Sequence, residues 1–174
     1  IEAKASFAKA TTFDPDCAMA WWGLAMAYGV NYNYAMLKNA PEAMDAMTNA
    51  LAAINNETPF EKALVATLPA RYNNDTLVGR DQQNKAYEMA IKKIHEIFPN
   101  DANAAALHAD ALMVQHPWDL YDNEGKPKPW TPEIVALLEA GLAKSPNHPN
   151  LNHLYIHAVE GAADAEKGLP NAWR

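Results

Sequence analysis

The chain has 174 residues, of which 49% are hydrophobic and 20% charged, and its formal net charge at pH 7 is −7. This length suits one compact domain or one segment of a solenoid with a continuous core. The negative charge argues against nucleic acids and anionic membranes as partners, because both bind basic surfaces. No apolar run approaches the roughly 18 residues of a transmembrane helix. The single cysteine, Cys17, excludes an internal disulfide framework and a cysteine-based zinc site.

Alanine recurs along the whole sequence and alternating β-branched stretches are missing, so we expect an all-α fold. Four prolines mark junctions at which one apolar helical stripe ends and the next begins: Pro15, Pro59, Pro99 and Pro146. Apolar side chains recur eight residues before each proline, and large side chains nine and thirteen residues after it. The predicted helices cover residues 2–12, 16–30, 41–55, 60–73, 82–98, 102–115, 131–144 and 149–161.

Two features should interrupt this regular pattern. We expect a kink or break near Leu68, because Pro69 removes a helical hydrogen bond and clashes with the preceding turn. The predicted helix pairs also have enlarged turns, at residues 31–40, 74–81 and 116–130. The last turn holds Trp118, Tyr121 and Trp130, and it is either packed down by these aromatic rings or used for binding. Of the two, we favour packing.

The first thirty residues resemble the tetratricopeptide consensus in order and spacing. The matching residues are Ala3, Phe7, Ala10, Pro15, Trp21, Leu24 and Tyr28. The segments CAMAWWGLAMAYGVNYNY, HADALMVQHPWDLYDNEGKPKPW and HPNLNHLYIHAVE resemble a family of bacterial tetratricopeptide-repeat (TPR) proteins. The resemblance implies a single TPR-like α-solenoid segment of antiparallel helix pairs over residues 1–174. The resemblance is to proteins of the bacterial envelope as much as of the cytosol, and we favour the periplasm or the extracellular space only slightly over the cytoplasm. We also expect the chain to be part of a longer protein, because Ile1 falls inside a helical pattern.

In a TPR stack the first helix of each pair lines the concave side, and the resemblance therefore implies a ligand-binding groove. Its candidate residues are Trp22, Met26, Asp110, Met113, His153, His157 and Glu160. One end of such a groove is aromatic and the other carries imidazoles and carboxylates, which suits a peptide, a small ligand or a partner subunit. For Trp22 and Met26, core packing is the alternative reading, and we favour it slightly.

Three of these residues are also candidate metal ligands. His153 and His157 are four residues apart and therefore share a helical face, and Glu160 continues that face. Such ligands suit zinc, copper, nickel or iron, and nearby methionines favour copper. The alternative, which we favour, is that the histidines make structural hydrogen bonds or contact a ligand. The HLYIH segment lacks the glutamate of zinc peptidases, and no nucleophile elbow or phosphate loop is present, so we predict no catalytic residue.

The leading expectation is a binding or assembly scaffold, and an enzymatic activity is the less favoured alternative. A solenoid without capping repeats exposes apolar ends, so end-to-end association into a homo-oligomer or filament is part of this hypothesis. The second hypothesis is a metal-binding protein that holds a copper or zinc ion at His153, His157 and Glu160. The third is a purely structural spacer.

Overall fold

The structure is a computed structural model that describes residues 2–34, 40–73 and 78–174. In this part of the chain the regular structure is helical, and the prediction of an all-α fold is confirmed. The α-helices are α1 (Glu2–Phe13), α2 (Ala18–Tyr28), α3 (Pro41–Ala52), α4 (Pro59–Ala66), α5 (Leu68–Arg71), α6 (Arg80–Ile97), α7 (Ala102–Met113), α8 (Thr131–Lys144), α9 (Pro149–Val159) and α10 (Leu169–Ala172). Short 3₁₀ helices cover Tyr32–Tyr34, Ile54–Asn56 and Ala165–Gly168.

The helices begin and end close to the predicted positions. The break expected before Pro69 is present, since α4 ends at Ala66 and α5 begins at Leu68. Parts of the predicted turns 31–40 and 74–81 lie outside the described residues, whereas the turn 116–130 is described completely. The junction prolines differ in position: Pro59 is the first residue of α4, whereas Pro99 and Pro146 lie in the turns before α7 and α9.

Side-chain caps fix several of these helix starts. At α4, the Thr58 hydroxyl accepts a hydrogen bond from the Glu61 backbone N–H, and the Glu61 carboxylate accepts one from the Thr58 N–H, which is a complete capping box. Asp101 accepts from two backbone N–H groups of the first turn of α7, at 2.8 and 3.0 Å. At α9 the cap is an imidazole: His148 Nδ1 accepts from a first-turn N–H at 3.2 Å. The start of α9 is therefore determined locally.

The chain divides into two compact units, residues 1–94 and 95–174, and the division falls within α6. In the N-terminal unit, α2 packs against both α1 and α3, and α4 contacts α2 and α3. Small side chains allow this close approach: a Cβ added at Gly23 of α2 would lie 2.2 Å from the Phe7 ring of α1. The core of this unit is formed by Ala18, Leu24, Ala25, Ala43, Ala46, Ala50, Val65, Leu68 and Tyr72.

In the C-terminal unit, α7, α8 and α9 pack against one another, and α10 and the 3₁₀ helix Ala165–Gly168 pack against α9. Met113, Ile134, Leu138, Leu151 and Val159 are at most 1% exposed and form the centre of its core. Within residues 2–34, 40–73 and 78–174, none of the helices combines the length and apolar character needed to cross a bilayer.

Candidate functional site

Helix α9 has one face in the core and one face open to solvent. Leu151, Leu154, Tyr155 and Ala158 are buried, whereas the side chains of the opposite face are accessible. His153 is exposed and lies on this open face. The His157 side chain is 18% exposed, and that of Glu160, just after the helix, is 43% exposed. The alternation of apolar and polar residues along α9 therefore presents the predicted histidines on one accessible face.

His157 is held by a carboxylate. Its Nδ1 lies 2.9 Å from Glu160 Oε1, and the two residues are three apart, as expected for neighbours on a helical surface. When Glu160 is ionised, the Nδ1–H of His157 donates this hydrogen bond, and Nε2 is the lone-pair nitrogen of the neutral ring. Glu160 therefore orients His157.

The two predicted histidines contact each other. The ring centroids of His153 and His157 are 4.8 Å apart, and the ring planes are nearly perpendicular, at 83°. Partial desolvation and the neighbouring His157 ring lower the pKa of His153, and the Glu160 carboxylate opposes this shift. A lowered pKa favours the neutral imidazole near pH 7, and a neutral ring both donates and accepts hydrogen bonds.

Trp118 lies beside these rings. Its indole is edge-on to His157, with the ring centroids 6.1 Å apart and the planes at 80°. The residue is 62% exposed, and its backbone φ is 59°, in the left-handed region that bulky residues rarely adopt. Such a conformation costs on the order of 1–3 kcal/mol and persists where the surrounding structure imposes it. We call Trp118, His153, His157 and Glu160 the α9 surface.

The loop that carries Trp118 is packed down by its other aromatic residues. Trp130 stacks on His116 with the ring centroids 4.0 Å apart and the planes at 6°, and its Nε1–H donates to the Asp119 carbonyl at 2.8 Å. The Thr131 hydroxyl donates to the Leu120 carbonyl. The expected packing is thus present for Trp130, whereas Trp118 of the same loop faces solvent.

A tight turn ties this loop to the segment that follows α9. Tyr121 and Pro127 form an isolated antiparallel bridge, and Gly125 has a φ of 74° in the turn between them. The Gly125 carbonyl accepts a hydrogen bond from the Ala163 N–H at 3.2 Å. The Tyr121 ring covers Gly161, where an added Cβ would approach it to 3.0 Å. Both ends of the α9 surface are therefore fixed, one by the helix and the other by the loop.

The remaining predicted groove residues do not join the α9 surface. Trp22 and Met26 are half-buried and pack against the core of the N-terminal unit, and the Tyr87 hydroxyl lies 3.7 Å from the Met26 sulfur. The assignment of Met113 to an open groove is wrong, because its side chain is completely buried in the core. Asp110 is half-buried on α7.

The proposed metal ligands are only partly assembled. Among the described residues, no group of three or more histidine, cysteine, aspartate or glutamate side chains is arranged to hold a metal ion. The carboxylate of Glu160 is hydrogen-bonded to His157, so it can orient this histidine as a metal ligand. The sequence predicted that Glu160 would itself bind the metal.

Comparison of the chain with protein-family models, with curated proteins and with solved structures gives no match. The contact between Trp118 and His157 was missed by the sequence reasoning, which had placed Trp118 in a packed loop. The available signal was the crowding of histidine and tryptophan in the HPW segment, residues 116–118. The left-handed backbone that turns Trp118 outward has no signature in the sequence.

Proposed function

We propose that this chain is a TPR-like binding scaffold whose α9 surface contacts a peptide segment of a partner protein. The fold supports the repeat architecture, because helices in each unit pack against the next helix in the chain. In addition, α2 contacts α4, and α7 contacts α9. Contacts between a helix and the next but one are typical of helical repeats, in which each pair stacks on its neighbour.

The exposure of Trp118 carries the proposal. A large indole that is 62% exposed, on a strained backbone and within an otherwise packed loop, does not contribute to the core of its unit. Tryptophan is enriched among the residues that dominate binding energies at protein interfaces. Beside it, His153, His157 and Glu160 offer hydrogen-bond donors and acceptors, which suit the backbone and polar side chains of a peptide.

Selection from a phage-displayed peptide library tests this function directly. Peptides selected on the wild-type chain should bind it with measurable affinity, and Trp118→Ala should weaken their binding by at least about 20-fold, as at other interface hot spots. Trp173→Ala is the matched control, since Trp173 is 86% exposed in the same unit and lies outside the α9 surface. Peptides that bind both variants as well as wild type would contradict the assignment.

The alternative ligand of the α9 surface is a second copy of the chain. Sedimentation velocity over the concentrations used for peptide binding distinguishes the two cases. A monomer whose peptide affinity depends on Trp118 supports a partner peptide. An oligomer that Trp118→Ala dissociates identifies a second copy of the chain as the ligand.

Metal binding is the second candidate function, and the pairing of His157 with Glu160 is the observation that favours it. Metal-bound histidines commonly donate their other ring N–H to a carboxylate. Two imidazole ligands from His153 and His157 would then require further ligands from a bound partner or from water. Zinc and copper titrations followed by calorimetry test this function. The expected result is binding that His153→Ala abolishes and Glu160→Gln weakens, and the absence of heat with either ion would exclude it.

A further inference from the structure

A cavity of about 240 Å³ lies in the C-terminal unit, bounded by the last turn of α6, the start of α7 and the C-terminal half of α8. It shares no residue with the α9 surface. Its walls are mainly apolar and include Ala105, Leu137, Ala140 and Gly141. A concave apolar site with a few polar groups at its edge is the usual form of a small-molecule site.

The polar edge of this cavity carries a fixed cation. Lys144 Nζ donates to the Pro99 carbonyl at 2.7 Å and to Asn100 Oδ1 at 3.1 Å, which are both neutral acceptors. Within the described part of the chain, no carboxylate forms an ion pair with Lys144. The lining carboxylate of Asp101 is engaged, because it caps α7 through two backbone N–H groups. The ammonium is therefore held in place without an internal anion.

His95 is a second polar residue of this cavity. It lines the cavity, and its Nδ1 lies 3.3 Å from His108 Nδ1, so that one ring donates and the other accepts. Partial burial and the nearby Lys144 lower the pKa of His95, and Glu96 opposes the shift. The pKa of His95 thus responds to the same ammonium that lies at the edge of the cavity.

The volume sets the size of the ligand. A dry cavity of about 150 Å³ in another protein accepts benzene. A cavity of about 240 Å³ thus has room for one aromatic ring and a short aliphatic chain. We propose that this cavity binds a small organic carboxylate, with its apolar body between α7 and α8 and its carboxylate on Lys144.

The probe is 3-phenylpropionate, compared with its neutral amide, 3-phenylpropanamide. Both are titrated into the ¹⁵N-labelled full chain, and chemical-shift changes are followed. At about eleven non-hydrogen atoms, the carboxylate is expected to bind with a Kd near the millimolar range. Its shifts should concentrate on the backbone amides of Ala105, Ala140 and Gly141, and the amide should bind more weakly.

Two variants separate the charge from the cavity. Lys144→Met keeps the aliphatic stem, so it should weaken carboxylate binding about tenfold and change amide binding by less than about twofold. Lys92→Met, at an exposed lysine of the N-terminal unit, is its control. Ala140→Phe should fill the opening and abolish the binding of both probes. Ala136→Phe, one turn earlier on α8 and outside the lining, should leave their binding unchanged.

Three results would overturn the proposal. The first is the absence of binding by either probe up to 20-fold above the expected millimolar range. The second is equal weakening of the carboxylate and the amide by Lys144→Met. The third is retained binding in a folded Ala140→Phe chain, where folding is verified by an unchanged spectrum away from the cavity.

Discussion

Gly125 gives the sharpest test of how the Trp118 loop is held. Its φ of 74° lies in the left-handed region, and an added Cβ would stand 2.5 Å from the backbone nitrogen of Ala163 and 2.9 Å from its Cα. The obstacle is backbone, which cannot rotate away as a side chain can. Gly125→Ala should therefore separate the loop from the segment after α9 and break the hydrogen bond between the Gly125 carbonyl and the Ala163 N–H.

The expected magnitude follows from three contributions. The left-handed conformation costs an alanine about 1–2 kcal/mol, and overpacking against a fixed neighbour costs about 1–3 kcal/mol. Alanine also gives the unfolded chain less conformational entropy than glycine does, which offsets about 0.4–1 kcal/mol of these two costs. We expect Gly125→Ala to lower the local free energy of unfolding by about 1–4.5 kcal/mol.

Hydrogen–deuterium exchange measures this change where it occurs. Peptides covering residues 120–130 and 160–166 should lose protection, with the Ala163 amide among the groups affected. Gly79→Ala is the matched control, because an added Cβ there meets no atom within 4 Å and the backbone has no positive φ. The reasoning is refuted if the Gly125→Ala and Gly79→Ala chains show the same protection in these peptides.

Three further predictions concern the helix packing, one titratable group and one cap. Gly23→Ala should destabilise the N-terminal unit by about 1–3 kcal/mol in urea unfolding, because its Cβ would meet the Phe7 ring at 2.2–2.5 Å. Burial lowers the pKa of His95, so the folded state resists its protonation. The melting temperature of the C-terminal unit should therefore fall as pH drops below about 6.5, where the unfolded chain binds more protons. Thr58→Ala removes the capping box with Glu61 and should lower stability by about 1 kcal/mol in the same urea assay.

Each of these predictions has a matched control. Phe7→Leu should partly rescue Gly23→Ala, and additive effects of the two changes would contradict the clash. His95→Gln should reduce the slope of melting temperature against pH between pH 7.5 and 5.5, whereas an unchanged slope would assign the effect to other groups. Thr58→Ser keeps the hydroxyl and should retain wild-type stability.

Helix positions could be read from the sequence because their determinants are local. The Thr58–Pro59 start of α4, the Asp101 cap of α7 and the break before Pro69 each follow from a few neighbouring residues. The assembly of helices into a solenoid depends on distant contacts, and there the sequence supplied a resemblance only.

The rotation of each helix about its axis was harder to predict. Met113 was assigned to an open groove as if the first helix of every pair presented the same face. Helix α7 reads ANAAALHADALM, and seven of its twelve residues are buried. A helix that is apolar all round is packed on most sides. The composition of α7 therefore indicated that Met113 would be buried. The left-handed backbone of Trp118 could not be predicted in this way, because it depends on the packing of the whole loop.

The α9 surface and the Gly125 turn should be energetically linked, because the same loop carries Trp118 and closes on Ala163. A peptide that binds only the ordered loop stabilises it by about 2.7 kcal/mol at 100 times its Kd. This gain is comparable with the expected loss in Gly125→Ala, so saturating peptide should restore much of the protection in residues 120–130 of that variant. In a chain that also carries Trp118→Ala, a roughly 20-fold weaker Kd leaves the same peptide a gain of only about 1 kcal/mol, so it should restore clearly less protection. Equal restoration in both chains would mean that the peptide binds elsewhere, and Trp118 would then have no role in recognition.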